Sequence, residues 1–382
     1  MGSAPTNRHT VPTPRIDLGF RLTRRLKSLN ISKLGEATPP HKAQTMKLVS
    51  SIGFAVLAAS ASASAQVTLN ANTWVPHTHP LTTAMMSWCA DVEKATAARV
   101  KCNLLPKPVV AATQTFDAVK DGLVDLSFTV HGFTPGRFLL AEITEFPFLG
   151  DTGEITAAAY QRIYDKYLAK ADEHKGVITL AVLTHGPGQI FNTKRPILAS
   201  KDLDGLRMRL PGGMVNETAK ALGVIPILKP PAEIYEMLSS GVADGVFFPK
   251  EAVFTFKVIP VIKYATYVPG GLYNVSIMYM MNPATWAKIS PADQGEIMKL
   301  SGESLARRGA RAYDEGDAKG EAAVREAKIP VVMASPELMA TITRKSGALE
   351  RAWIERAKTR GVDGEAALKA LRAEIAALSK KK

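Results

Sequence analysis

Two separate runs of alternating strand and helix patterns constrain the fold of this 382-residue chain more than any other feature. Over residues 67–130, short apolar-alternating segments predict strands, and apolar stripes at helical spacing predict helices between them. The same strand–helix order recurs over residues 206–248. Alternation of this kind is typical of α/β domains with a largely parallel sheet. Two such units predict an α/β protein with two lobes and a cleft between them.

The last third of the chain is predicted to be mostly helical. Ser290 and Pro291 are typical of a helix start, and the helical pattern then runs with little interruption to about Ala327. A helix of that length would measure about 50 Å at 1.5 Å per residue. We therefore expect one long helix that spans both lobes.

A short apolar stretch near the N-terminus has the features of a secretory signal. A lysine after Met46 precedes about a dozen apolar residues, and residues 63–65 form an Ala-x-Ala cleavage site. The stretch is shorter than the roughly 20 residues of a membrane span. We predict a signal peptide at residues 46–65 and a periplasmic protein. Residues 1–45 are then a disordered, non-native extension that a start codon placed too early would produce.

The charge of the chain changes when this leader is set aside. Residues 1–65 carry nine Lys or Arg and two Asp or Glu, so +7 of the net charge of +13 lies there and +6 remains on residues 66–382. A mild basic excess without an arginine-rich, aromatic-interleaved run does not indicate nucleic-acid binding. It suits a protein that binds an anionic ligand.

The two cysteines, Cys89 and Cys102, leave two readings open. In an exported protein such a pair can form a disulfide, here between the first predicted helix and the next strand. Two buried free thiols are the alternative. The absence of further Cys or His partners at suitable spacing argues against zinc.

The segment around Arg209 is the strongest candidate for a binding site. Leu206, Met208 and Leu210 share one face of a predicted strand, and Arg207 and Arg209 share the other. A Pro-Gly-Gly sequence then opens a helix. An arginine fork beside free helix N–H groups would bind a carboxylate. The alternative is that both arginines are solvated on an edge strand.

Catalytic signatures are missing from the sequence. It contains no G-x-S-x-G, H-E-x-x-H or P-loop motif. His77-Thr78-His79 could suggest a metal, but two histidines at this spacing in a loop are more often turn residues. We predict a binding protein rather than an enzyme, with no cofactor and no metal.

Seven short motifs, in this order, resemble the extracytoplasmic solute-binding proteins of TRAP transporters, the DctP-like family. They are Gly122–Leu126, Phe146–Phe148, Asn192–Ile197, Asp202–Arg209, Ala221–Gly223, Glu233–Tyr235 and Gly241–Gly245. The resemblance covers residues 66–382. It implies a periplasmic-binding-protein-like fold, in which residues 66–186 and 274–312 form lobe I and residues 187–273 and 313–382 form lobe II. It also implies a monomer that closes on an organic acid and delivers it to the small and large membrane subunits of a permease.

The resemblance assigns the carboxylate-binding arginine to Arg209 and shows departures elsewhere. A second basic residue of the family falls on Gln189, a polar asparagine falls on Phe248, and a polar contact of the first strand falls on Trp74. The predicted pocket therefore has one cationic anchor with apolar and aromatic walls, to which further residues contribute walls or hydrogen bonds: Phe128, Pro231, His77 and His131.

A pocket of this kind favours as its ligand a monocarboxylate with an apolar or aromatic body, or a small 2-oxo or 2-hydroxy acid. A C4-dicarboxylate is the alternative ligand, and it would need a second cation such as Lys250. A ligand sensor that docks a membrane signalling protein would need no different pocket. A secreted enzyme is the third reading, and it would have to use His77 or His131.

Overall fold

The computed structural model describes residues 66–380, which form two lobes, each built on one mixed β-sheet. The predicted extension 1–45 and signal peptide 46–65 lie outside the described residues. The strands are β1 (Val67–Ala71), β2 (Val100–Leu104), β3 (Leu126–Val130), β4 (Ile178–Thr184), β5 (Gln189–Asn192), β6 (Arg207–Leu210), β7 (Ile225–Leu228), β8 (Gly245–Phe248), β9 (Tyr264–Tyr267), β10 (Ser276–Met281) and β11 (Val331–Met333).

The helices pack against these sheets and against one another. They are α1 (Pro80–Ala95), α2 (Thr115–Lys120), α3 (Gly153–Ile163), α4 (Gly213–Ala221), α5 (Ile234–Ser239), α6 (Lys250–Thr255), α7 (Pro283–Trp286), α8 (Pro291–Leu300), α9 (Glu303–Glu326), α10 (Pro336–Lys358) and α11 (Gly364–Ser379). None of the helices in this described part of the chain is long and apolar enough to span a membrane.

The sequence predicts largely parallel sheets, but both sheets are mixed. The strand order explains why. Lobe I has the order β2-β1-β3-β10-β4, and lobe II has the order β11-β9-β5-β8-β6-β7. The chain passes from lobe I to lobe II after β4 and returns after β9. As a result β10 is antiparallel to β3 and β4, and β5 is antiparallel to β8 and β9. Neither β9 nor β10 is predicted from the sequence.

One helix connects both lobes, as predicted, but it is shorter than expected. The pattern from Pro291 to Ala327 is broken at Ser301-Gly302, where Gly302 has a φ of +57° and donates its N–H to Leu180 O. Glycine adopts this conformation without the steric cost that other residues meet. The 24 residues of α9 measure about 36 Å, and the helix packs against α1 and α3 of lobe I and α6 of lobe II.

The C-terminal helices contact both lobes, and α10 packs against α4 of lobe II. Residues 313–382 were assigned to lobe II, yet α11 packs against α3 of lobe I. Trp353 of α10 also lies in lobe I, where its ring contacts Phe146 and its Nε1–H donates to Leu139 O. The predicted lobe boundaries remain predictions.

A disulfide joins Cys89 of α1 to Cys102 of β2, with the Cα atoms 5.8 Å apart. This settles the choice between a disulfide and two free thiols. Both residues belong to the edge of lobe I, where α1 packs on the β1–β2 pair.

Replacing Cys89 and Cys102 together with alanine should lower the free energy of unfolding by about 3 kcal/mol, because the bond restricts a short loop of the unfolded chain. Urea denaturation would measure the change. Reduced wild type should match the double variant, whereas an unchanged midpoint would show that the bond adds no stability.

Candidate functional site

A cavity lies between the lobes at the carboxyl ends of β1, β3, β4, β6 and β8, where open α/β sheets bind their ligands. It contains about 440 Å³ of space not filled by atoms, part of it open to solvent. Its lining residues come from both lobes and from α9: Trp74, His79, Val130, Phe133, His185, Arg209, Pro211, Pro231, Phe248, Pro249, Glu251, Ala252, Phe256, Tyr273, Val275 and Tyr313.

Arg209 is a buried cation that points into this cavity. Its side chain is 3% exposed, and its Nε–H donates to Lys229 O at 2.7 Å. Within residues 66–380 it forms no ion pair, and its two terminal nitrogens donate no hydrogen bond to the protein. Burial lowers the pKa of Arg209 to about 10, so the group stays charged at neutral pH. A buried charge with unused donors is costly unless an anion pairs with it.

Arg207 has a different environment although it shares a strand face with Arg209. Arg207 is exposed and pairs with Asp244 at 2.9 Å. It stands at the start of β6 and does not line the cavity, whereas Arg209 stands near the carboxyl end of β6 beside the cavity. The structure therefore separates the two readings of the arginine segment: Arg207 forms a surface ion pair, and Arg209 lines the cavity.

The helix start after Arg209 does hold a carboxylate, but it is one from the protein. Glu145 of lobe I accepts the N–H of Met214 at 2.7 Å and caps α4 of lobe II. Glu145 is 1% exposed, and burial raises its pKa well above the usual range. We had expected these N–H groups to bind the ligand together with Arg209. Instead a carboxylate of the protein occupies them, and only the arginine faces the cavity.

Three glycines allow the lobes to approach each other at this point. A Cβ on Gly212 would lie 2.3 Å from Gly132 O, and a Cβ on Gly213 would lie 2.3 Å from the Glu145 carboxylate. Gly132 and Glu145 belong to lobe I, and Gly212 and Gly213 to lobe II. Side chains of any size would hold the lobes apart beside the Arg209 strand.

Four polar rings form one side of the cavity. The ring centroids of Tyr273 and His185 are 5.3 Å apart, those of His185 and Tyr313 are 6.0 Å apart, and those of Tyr313 and His79 are 5.5 Å apart. Burial lowers the pKa of His185 to about 4 and that of His79 to about 3, so both imidazoles are neutral at pH 7. This side therefore offers neutral hydrogen-bonding groups rather than a second charge.

Another part of the cavity wall is apolar and aromatic. Phe248 lies 5.0 Å from the Arg209 guanidinium carbon and stacks on Phe256 at 5.7 Å. Trp74 contacts Phe133 at 5.3 Å. The indole N–H of Trp74 donates to Phe128 O, so Trp74 offers the cavity only its apolar ring. An aromatic ligand would find stacking partners here.

Glu251 adds a carboxyl group to the wall. It is buried, its Oε2 atom has no hydrogen-bond partner within residues 66–380, and burial raises its pKa to about 7. A second carboxylate on a ligand would meet the Glu251 carboxyl group in the cavity wall. Among the described lining residues Arg209 is the one basic side chain that is charged at neutral pH.

Four of the eight predicted ligand-binding residues line the cavity: Arg209, Phe248, Trp74 and Pro231. The other four lie elsewhere. Phe128 is fully buried behind Trp74, and His77 is exposed on the surface. The side-chain oxygen of Gln189 accepts the N–H of Val268, so it bonds to the backbone of lobe II and not to a ligand in the cavity.

His131 is in the core of lobe I rather than in the cavity. Its Nδ1 lies 2.8 Å from Ser276 Oγ, and its Nε2 lies 2.9 Å from Nε2 of His174. Both ring nitrogens are therefore used within the protein. Lys250, the possible second cation, pairs with Glu321 on α9 and does not line the cavity.

Sequence reasoning missed the polar side of the cavity. Tyr273 lies in a connection between the lobes, Tyr313 lies on α9, and His185 follows β4, so these residues meet only in the folded chain. His79 carried one usable signal, since it precedes Pro80 at a helix start and caps α1 by accepting the N–H of Leu81. The described residues contain no group of three or more metal-binding side chains.

The chain is similar to known solute-binding proteins over most of its length. The model of bacterial extracellular solute-binding protein family 7, DctP, matches residues 71–355. A TRAP periplasmic solute-binding protein from Bordetella bronchiseptica, solved with (R)- and (S)-mandelate, is 43% identical, with a TM-score of 0.80 over 82% of this chain and 99% of that one.

Two further relatives agree in fold or sequence. A TRAP solute-binding protein from Rhodoferax ferrireducens, solved with copurified benzoate, is 30% identical, with a TM-score of 0.76 over 82% of this chain and 99% of that one. A protein of Comamonas testosteroni named outer membrane transporter protein TsaT is 29% identical over 312 residues, which are 81% of this chain and 92% of the relative. The two-lobed α/β fold with its connecting helix is thus confirmed, and the chain belongs to the DctP family of TRAP transporter extracytoplasmic solute-binding proteins.

Proposed function

We propose that this protein captures an aromatic monocarboxylate and holds its carboxylate with Arg209. The observation that carries the proposal is a buried arginine that has no ion-pair partner among residues 66–380 and lines a cavity with aromatic walls. A carboxylate can accept two parallel hydrogen bonds from the guanidinium, and such charge-assisted pairs are strong. The ring of the ligand would pack against Phe248, Phe256 and Trp74. We expect binding without chemical conversion of the ligand.

The relatives support this choice of ligand class. The Bordetella protein was solved with mandelate and the Rhodoferax protein with benzoate, and both acids combine one carboxylate with one ring. Mandelate has both of the features that the sequence predicts for the ligand, since it has an aromatic body and is a 2-hydroxy acid. Dicarboxylates are disfavoured because Lys250 is paired outside the cavity and Glu251 forms part of the wall.

We further propose that the protein is exported by residues 46–65, binds as a monomer in the periplasm, and delivers its ligand to a permease of small and large membrane subunits. The family supports a periplasmic location and a membrane partner. Uptake of a labelled acid by cells that contain or lack this protein, with the membrane subunits present, would test delivery. Equal uptake by both cells would contradict it.

Mandelate or benzoate should raise the midpoint of thermal unfolding of the purified protein by about 5 °C or more at saturating concentration, because a ligand that binds only the folded state stabilises it. Succinate and glucuronate, measured in parallel, should shift the midpoint much less. A larger shift with succinate would contradict the proposed ligand class, and no shift with any organic acid would contradict the proposed function.

A further inference from the structure

His79 differs from the other polar residues of the cavity in how its two ring nitrogens are used. It is the N-cap residue of α1, and its Nδ1 accepts the N–H of Leu81 at 3.2 Å. The side chain is 3% exposed and lines the cavity. The ring is therefore held in place from one side by the backbone of lobe I and faces the cavity with the other side.

The hydrogen bond to Leu81 fixes the tautomer of His79. A neutral imidazole has one nitrogen that accepts and one that donates. Because Nδ1 accepts, the hydrogen is on Nε2. Burial lowers the pKa of His79 to about 3, so the ring remains neutral at working pH. No residue in the part of the chain that the structure describes accepts this Nε2–H.

The neighbouring histidine does not provide such a group. His185 donates from Nδ1 to Gly186 O, and its Nε2 accepts the N–H of Val275 at 3.4 Å. Both of its nitrogens are therefore occupied by the backbone. Two aromatic side chains lie next to the ring of His79. The ring centroid of Phe256 is 6.1 Å away, and that of the phenol Tyr313 is 5.5 Å away.

We infer that His79 is a specificity-determining residue, whose Nε2–H donates to a hydroxyl or oxo oxygen on the body of the ligand, apart from its carboxylate. The inference rests on the proposed function and narrows it to oxygenated aromatic acids. A site built to hydrogen-bond a ligand oxygen rejects the analogue that lacks it, because the buried donor is then left without a partner.

Three acids of nearly equal size test the inference by calorimetric titration. Mandelate has a 2-hydroxyl group, benzoylformate has a 2-oxo group that can only accept, and phenylacetate has neither. The wild-type protein should bind the first two about 10- to 100-fold more tightly than phenylacetate. His79→Ser keeps a side chain that can cap α1 but removes the donor from the cavity. This variant should bind all three acids with affinities within about threefold of that of wild type for phenylacetate.

His77→Ser is the matched control, since His77 lies two residues away, is exposed and does not line the cavity. It should keep the wild-type preference.

Each alternative result has a distinct meaning. If wild type binds all three acids with equal, measurable affinity, the role of His79 is wrong while the proposed function stands. If none of the acids binds, the proposed function fails. Tight binding of mandelate with weak binding of benzoylformate would show that the ligand donates rather than accepts, which overturns the inference. An equal loss for all three acids in His79→Ser would show that His79 acts only through the fold, which also overturns it.

Discussion

Arg209→Leu should lower the affinity for mandelate or benzoate by about 100-fold or more, because it removes a charge-assisted pair that the cavity shields from water. The same variant should be at least as stable as wild type when no ligand is present. A buried cation that forms no ion pair with the described residues opposes folding, and a leucine of similar volume does not. Loss of binding together with kept or increased stability is the expected signature of a residue retained for its ligand.

Two matched variants separate the charge of Arg209 from its shape. Arg209→Lys keeps the charge but loses the planar fork, so we expect an intermediate affinity. Arg207→Gln changes an arginine on the same strand face, and Lys194 still pairs with Asp244 at 3.3 Å. This control should leave the affinity unchanged. Calorimetric titration and thermal unfolding would measure both properties, and wild-type affinity in Arg209→Leu would contradict the central assignment.

Gly213→Ala should weaken ligand binding by about 10-fold or more although the residue does not line the cavity. Its φ is +62°, and the new Cβ would lie 2.3 Å from the Glu145 carboxylate, which is buried and bound to Met214 N. The added methyl group would push lobe I away from α4 of lobe II. The two lobes would then no longer meet around the ligand.

Gly205→Ala is the control for backbone strain. Gly205 has a similar φ of +73°, but a Cβ there would meet no atom within 4 Å. Both variants should lose about 1 kcal/mol of stability because alanine disfavours this conformation. Only Gly213→Ala should also lose affinity and show wider separation of the lobes in solution scattering. Equal affinities for the two variants would show that the contact at Glu145 does not control closure.

The sequence predicted the parts of the fold that depend on local pattern. The strand–helix order predicted over residues 206–248 is present as β6, β7 and β8 with α4 and α5 between them, because alternation and flanking glycines define such short segments. The break at Ser301-Gly302 was missed since the helical pattern continues on both sides of it. The fully buried β10 has no polar face, so alternation could not reveal it.

The candidate site was predictable where one residue and its strand position decide the outcome. Arg209 and Phe248 stand at strand ends, and both line the cavity. Gln189 is paired with Phe248 in the β5–β8 register, yet its amide bonds to backbone. Which way a flexible side chain turns depends on partners that are remote in sequence. For the same reason the sequence did not reveal Tyr273 and Tyr313. Tyr273 reaches the cavity from the segment between β9 and β10, and Tyr313 reaches it from α9.

The return of the chain to lobe I has a consequence for the order of folding. The sheet of lobe I is incomplete until β10 has been synthesised, and the sheet of lobe II is incomplete until β11 at residues 331–333. The emerging polypeptide therefore cannot finish either lobe until most of its length is available, and its many contacts between remote segments favour slow folding. A chain of this topology therefore stays open to binding by chaperones until β10 and β11 can join their sheets.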